Sequence, residues 1–172
     1  ASREIKMVMA YELPFIICLI VPVIKSHGLL RLSEIINYQA ANGAFIFSFS
    51  GIIAFIVMIF CMQAKLGLVP FDAGEAETEI MAGTYIEYSG ILLAIFKITK
   101  TMLMVILPLF LITVFWQGFG FLSLWKYVIL LVVIILIRNT NPRVRIDQAV
   151  RFFWGKMTLM AILAVLLALK GL

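Results

Sequence analysis

Charge is scarce in this chain: Asp, Glu, Lys and Arg together make up 13% of its 172 residues, about half the share found in ordinary soluble domains. Apolar residues supply 64%, which excludes a soluble globular domain and indicates a membrane protein. Histidine is present once, as His27, and cysteine twice, as Cys18 and Cys61. No CxxC and no His/Cys grouping occurs, so neither a metal site nor a haem or iron-sulfur site is encoded. The two cysteines stand alone in apolar stretches and read as packing residues. His27, beside Lys25 and Ser26 just past the first span, reads as an interfacial histidine without the partner that a base or ligand needs. An initiator Met is missing, as is a charged leader with a short apolar core and cleavage site. The start Ala-Ser-Arg-Glu therefore reads as part of something longer. A net charge of +5 would suit nucleic acid, but the basic residues are scattered over short loops and form no aromatic-interleaved patch.

What is present is a succession of apolar runs. Roughly 20 such residues cross a hydrocarbon core, and the pattern predicts five spans, at about 4–24, 45–63, 88–116, 124–137 and 157–169. The fold class is all-α: a polytopic helix bundle forming one transmembrane domain over 1–172. Pro14 and Pro22 should bend the first span and free backbone carbonyls. Between 29 and 38, Leu29, Leu32, Ile35 and Ile36 fall on one side of a short helix suited to the membrane interface. Trp125 and Tyr127 suit an interface anchor. If the spans alternate, Arg3, Lys6, Lys65, Arg138, Arg143, Arg145, Arg151 and Lys156 share one face, and Lys25, Arg31, Lys126 and Lys170 the other. The positive-inside rule makes the first face, with the chain's start and the acidic loop, cytoplasmic.

Between the second and third spans the sequence reads FDAGEAETEIMAGTYIEYSG and carries Asp72, Glu75, Glu77, Glu79 and Glu87. Carboxylates near lipid are expensive unless paired, hydrated or protonated, and grouped ones favour holding a proton. A helix beginning at Asp72 as N-cap would set Glu75 and Glu79 on one face. The plain alternative is a solvated loop, but Ile80, Met81, Tyr85, Ile86 and Tyr88 interleave with the acids and argue for partial burial. Glu4 and Glu12 lie on the first span. Glu4 also fits a surface charge, whereas Glu12, two residues before Pro14, suits proton transfer or hydrogen bonding. Lys97 and Lys100 lie inside the third span, as functional charges or as snorkelling side chains. The turn RNTNPRVRIDQAVRFFWGK groups Arg138, Arg143 and Arg145 with Asp147 and Gln148. Its arginines can dock a partner or the acidic loop on the same face.

Three blocks, ASREIKMVMAYELP, PFDAGEAETEIMAGTYIEYSG and RNTNPRVRIDQAVRFFWGK, resemble the signature blocks of a membrane subunit family. That family is shared by respiratory complex I, as its H subunit, and by energy-converting membrane-bound nickel-iron hydrogenases. The resemblance covers nearly the whole chain and corresponds to the C-terminal five of about eight family spans. It implies a prokaryotic plasma-membrane protein and a proton path from the redox arm toward antiporter-like subunits. By motif position it gives Glu4, Glu12, Glu75, Glu77, Glu79 and Glu87 a proton-transfer role, with Lys97 and Lys100 beside them. Asp72, Arg138, Arg143, Arg145, Asp147 and Gln148 fall on the side that meets the peripheral arm. After EYSG the text ILLAIFKITKTM, with its lysines, is more similar to the hydrogenase branch than to complex I, and a sulfane-sulfur reductase complex would share most of these features. The implied function is a membrane anchor and ion-coupling subunit of a ferredoxin-linked hydrogenase complex. It would hold no cofactor or metal itself, and a nickel-iron centre and iron-sulfur clusters would reside in partner subunits. Those partners would be hydrogenase large and small subunits, an iron-sulfur subunit, antiporter-like membrane subunits and lipid.

Overall fold

The fold is seen in a computed structural model that describes residues 2–72, 88–117 and 121–171. Six helices account for most of these residues; among them α1 Ser2–Lys25, α4 Ile91–Phe115, α5 Phe121–Thr140 and α6 Ile146–Leu169 are long and apolar enough to cross a membrane, while α3 Phe49–Lys65, on the second predicted span, is a shorter apolar helix. The shorter α2, Leu32–Asn42, carries its apolar residues on one side and buries Ile35 and Gln39. It begins three residues later than the predicted interfacial helix, because Arg31 has an extended backbone (φ −78°, ψ 130°) and serves as its N-cap.

α1 continues as a helix through both Pro14 and Pro22. Its buried residues Met7, Ala10, Tyr11, Pro14, Cys18 and Val21 recur at steps of three and four, which makes one stripe along the helix. That stripe packs against α3 and α6, and these three helices form the centre of the core. Ala10, Cys18, Ala54, Cys61, Ala149, Ala161 and Ala164 are all fully enclosed there. Small side chains let the backbones approach closely, which holds membrane helices together where lipid offers no hydrophobic drive between them. Cys18 and Cys61 are free thiols within this packing.

α4 and α5 join the core through part of their length only. α4 packs through its C-terminal half, burying Leu111, Ile112, Val114 and Phe115, while residues 94–99 are exposed. α5 buries Leu130 and Ile134 and presents most of its remaining apolar side chains outward. The fully buried Gln39 clamps the end of α4: its Nε2 donates to the carbonyls of Thr113 (3.2 Å) and Val114 (2.9 Å), and its Oε1 accepts from the Gln117 N–H (2.6 Å). Lys126 adds a second cap, donating to the Trp116 carbonyl at 2.7 Å with its Nζ 5.8 Å from the Trp116 ring centroid. Orphan carbonyls at a helix end need such partners.

Two spans are longer than the sequence pattern predicts. α5 runs to Thr140, with Arg138 in its last turn, and α6 starts at Ile146 rather than at Met157. The predicted polar turn thus shrinks to 141–145, and Asp147 and Gln148 belong to the first turn of α6. The reason is apolar periodicity hidden among the charges: Ala149 and Phe153 are fully buried, four residues apart on one helical face. Within α6, Phe152–Met157 is wound as a π-helical turn, and the Thr158 hydroxyl donates to the Phe153 carbonyl at 2.7 Å.

Candidate functional site

The start of α1, the end of α3 and the first half of α4 meet at one end of the bundle around a cleft of about 660 Å³. Glu4, Val8 and Glu12 reach it from α1 at the four-residue spacing that aligns side chains along a helix. From α4 come Phe96, Lys100 and Leu103, again one face. Lys65, Phe71 and Asp72 close it from the end of α3 and the loop that follows. Lys65 also lies 5.0 Å from the centroid of the Phe15 ring on α1. The cleft therefore joins three carboxylates and two ammonium groups to a largely apolar wall.

The loop behind the cleft is held on every side. Gly67, at φ 63°, ends α3 in the left-handed conformation; its N–H bonds the Ala64 carbonyl (3.1 Å), while the Leu68 N–H bonds that of Gln63 (3.2 Å). This pair of bonds is the Schellman pattern, in which glycine avoids the penalty of a side chain. From inside, the enclosed Gln63 donates through Nε2 to Val69 (3.0 Å) on the loop and to Ile134 (3.3 Å) on α5, and its Oε1 has no partner among the described residues. From outside, the Val144 N–H donates to the Pro70 carbonyl at 3.0 Å. Phe71 packs on Phe153 (centroids 4.8 Å) and stacks on Phe152 (5.6 Å), both at the π-turn of α6. Such turns recur at functional sites.

On this frame Asp72 and Arg143 pair at 2.7 Å, with the Asp72 side chain 10% exposed and that of Arg143 36%. The carboxylate is the enclosed partner, so losing the guanidinium would leave a buried charge, tempered by the solvent that reaches Arg143. A second cleft, about 330 Å³, lies beyond it and is lined by Leu68, Thr101, Arg138 and Arg143. Asp72 and Lys100 line both clefts. The arrangement can hold water between ionisable side chains and pass protons from one to the next.

The structure thus gathers Glu4, Glu12, Asp72 and Lys100 in one cleft, with Arg138 and Arg143 at its neighbour. Lys97 is exposed on α4 and lines neither cleft, and Arg145, Asp147 and Gln148 are exposed around the start of α6. Glu75, Glu77, Glu79 and Glu87 lie outside the described residues. Among the described residues no three His, Cys, Asp or Glu side chains group as metal ligands. Sequence reasoning missed Gln39 and Gln63. Their signal was available, since an amide buried among apolar residues must find partners.

A family model described as NADH dehydrogenase matches residues 1–169. The H subunit of the NADH-quinone oxidoreductase of Dehalococcoides mccartyi is 32% identical over 163 residues, covering 90% of this chain and 44% of that protein. NADH-quinone oxidoreductase subunit 8 of Thermus thermophilus is 32% identical over 170 residues, covering 94% and 46%. The chain spans about half the length of these curated relatives. Among solved structures, a chain of the membrane-bound sulfane sulfur reductase, described as an archaeal respiratory membrane complex, superposes with a TM-score of 0.89 at 28% identity, covering 98% of this chain and 58% of that one. The helical bundle, the signature blocks and a family match running nearly end to end agree: this chain belongs to the NADH dehydrogenase family, as a membrane subunit of the kind shared by complex I and related complexes.

Proposed function

We propose that this chain couples ion movement to electron transfer in a multisubunit respiratory oxidoreductase. The observation that carries the reading is that Glu4, Glu12, Asp72 and Lys100 line one cleft at the end of the bundle that leads into the acidic segment. Protons would enter from the redox arm, pass among these groups and the glutamates of 75–87, and continue toward antiporter-like subunits. The finer reading is a ferredoxin-linked membrane-bound nickel-iron hydrogenase, or its sulfane-sulfur-reducing counterpart, whose partner subunits hold the nickel-iron centre and iron-sulfur clusters. Lys97 and Lys100 after the EYSG block support that branch, and the likeness to the sulfane sulfur reductase is in keeping with it. The names of the curated relatives favour a second reading, in which the acceptor is a quinone.

Moving one charge against about 100 mV costs roughly 2.3 kcal/mol, so one weakened transfer group is enough to uncouple pumping from electron flow. Glu12→Gln in the intact complex, reconstituted in vesicles, is expected to keep electron transfer and to lower ions moved per electron by at least about half. Unchanged stoichiometry in Glu12→Gln and Lys100→Met would remove the cleft from the ion path. Supplying ferredoxin with protons, polysulfide or quinone as acceptor to the same preparation separates the finer readings.

A further inference from the structure

The opposite end of the bundle holds a second kind of cavity. There the end of α1, the stretch before α3 and the end of α6 enclose about 440 Å³, lined by Lys25, His27, Tyr38 and Asn42 together with Phe45 and Phe47. Among the described residues no carboxylate lines it. The nearby Glu34 is engaged with Arg31 at 3.7 Å. Lys25 therefore gives the cavity a positive charge on one side, and Phe45 and Phe47 give it an apolar wall on the other. Its surroundings suit lipid: Phe47 is 81% exposed and Phe49 73%, where the apolar helix α3 begins.

His27 carries the second observation. α1 ends with the Gly28 N–H bonded to the Val23 carbonyl (2.9 Å) and the His27 N–H to that of Ile24 (3.1 Å), which puts His27 at the left-handed position of a Schellman cap, with φ 59°. Glycine is the usual occupant there, and a side chain raises the energy of that conformation. Here a histidine stands in its place, and its ring meets Tyr38 edge-on at 6.0 Å, at the cavity. A disfavoured backbone position kept by a polar side chain points to a job for that side chain. Tyr38 in turn packs on Phe45, with centroids 6.0 Å apart, so the imidazole and the apolar wall form one surface.

We infer that this cavity binds the headgroup of an anionic phospholipid, with Lys25 and His27 facing the phosphate and the acyl chains lying along Phe47 and Phe49. Positive pockets between membrane helices recognise anionic headgroups in this way. The membrane complex containing this chain, purified and placed in nanodiscs with a photoactivatable phosphatidylglycerol, is expected to be labelled within 24–49. Lys25→Gln should lower that labelling roughly fivefold, the value of one cationic contact. His27→Gly should lower it as well while leaving the cap intact, because glycine suits φ 59° better than histidine does; loss of folding therefore does not mimic loss of binding. Inorganic phosphate at millimolar concentration should not compete. Equal labelling by a phosphatidylcholine analogue, labelling unchanged in both variants, or competition by inorganic phosphate would each overturn the assignment.

Discussion

Removing the guanidinium beside Asp72 leaves an enclosed carboxylate without its counter-charge. Since Arg143 is 36% exposed, solvent tempers the loss, and Arg143→Gln should cost about 1–3 kcal/mol rather than the larger penalty of a fully buried pair. The double variant Asp72→Asn/Arg143→Gln should recover part of it, because the unpaired charge is then gone. Thermal unfolding of the detergent-solubilised complex, read as a double-mutant cycle, measures the difference. Gln63 is fully buried behind the loop, and its Oε1, without a partner among the described residues, can accept from a water.

At the scale of elements, the loop between α3 and α4 depends on how α3 stops. Gly67→Ala would force a side chain into φ 63° and should destabilise the complex by about 1 kcal/mol, with a visible fall in thermal midpoint. The apolar helices and the short helix α2 were legible because apolar runs and helical periodicity state them directly, although the second predicted span, 45–63, forms the shorter helix α3. The ends of α5 and α6 were not, since Arg138, Arg145 and Asp147 masked the stripe begun by Ala149 and Phe153. The site was legible in its residue types: Glu12, Asp72 and Lys100 drew notice as charges in apolar surroundings. Which of them meet was not, because the meeting of Asp72 with Arg143, 71 positions later, depends on how α5 and α6 return to the same end. The buried amides Gln39 and Gln63 escaped notice for a related reason. Their partners are backbone groups, carbonyls for both and the Gln117 N–H for Gln39, and no sequence pattern marks which backbone group an amide will meet.

For the whole molecule, the bundle has two unlike ends: one with carboxylates, lysines and the Asp72–Arg143 pair, the other with the cavity lined by Lys25 and His27 and by no carboxylate among the described residues. The proposed orientation sets the first in the cytoplasm, and it can be read chemically because Cys18 and Cys61 are fully enclosed and give no background. Arg145→Cys should react with an impermeant maleimide only from the cytoplasmic side of sealed vesicles, and Lys170→Cys only from the other; the reverse pattern would invert the topology. α4 joins the two ends mechanically. The Gln39 clamp grips it near Val114, while the stretch that carries Lys100 borders open clefts. Measured from that clamp, the helix is a lever arm. Fourteen residues of helix separate clamp and lysine, about 21 Å, so a tilt of about 5° at the anchored end would sweep the Lys100 backbone through roughly 2 Å, comparable with the difference between a direct and a water-bridged contact.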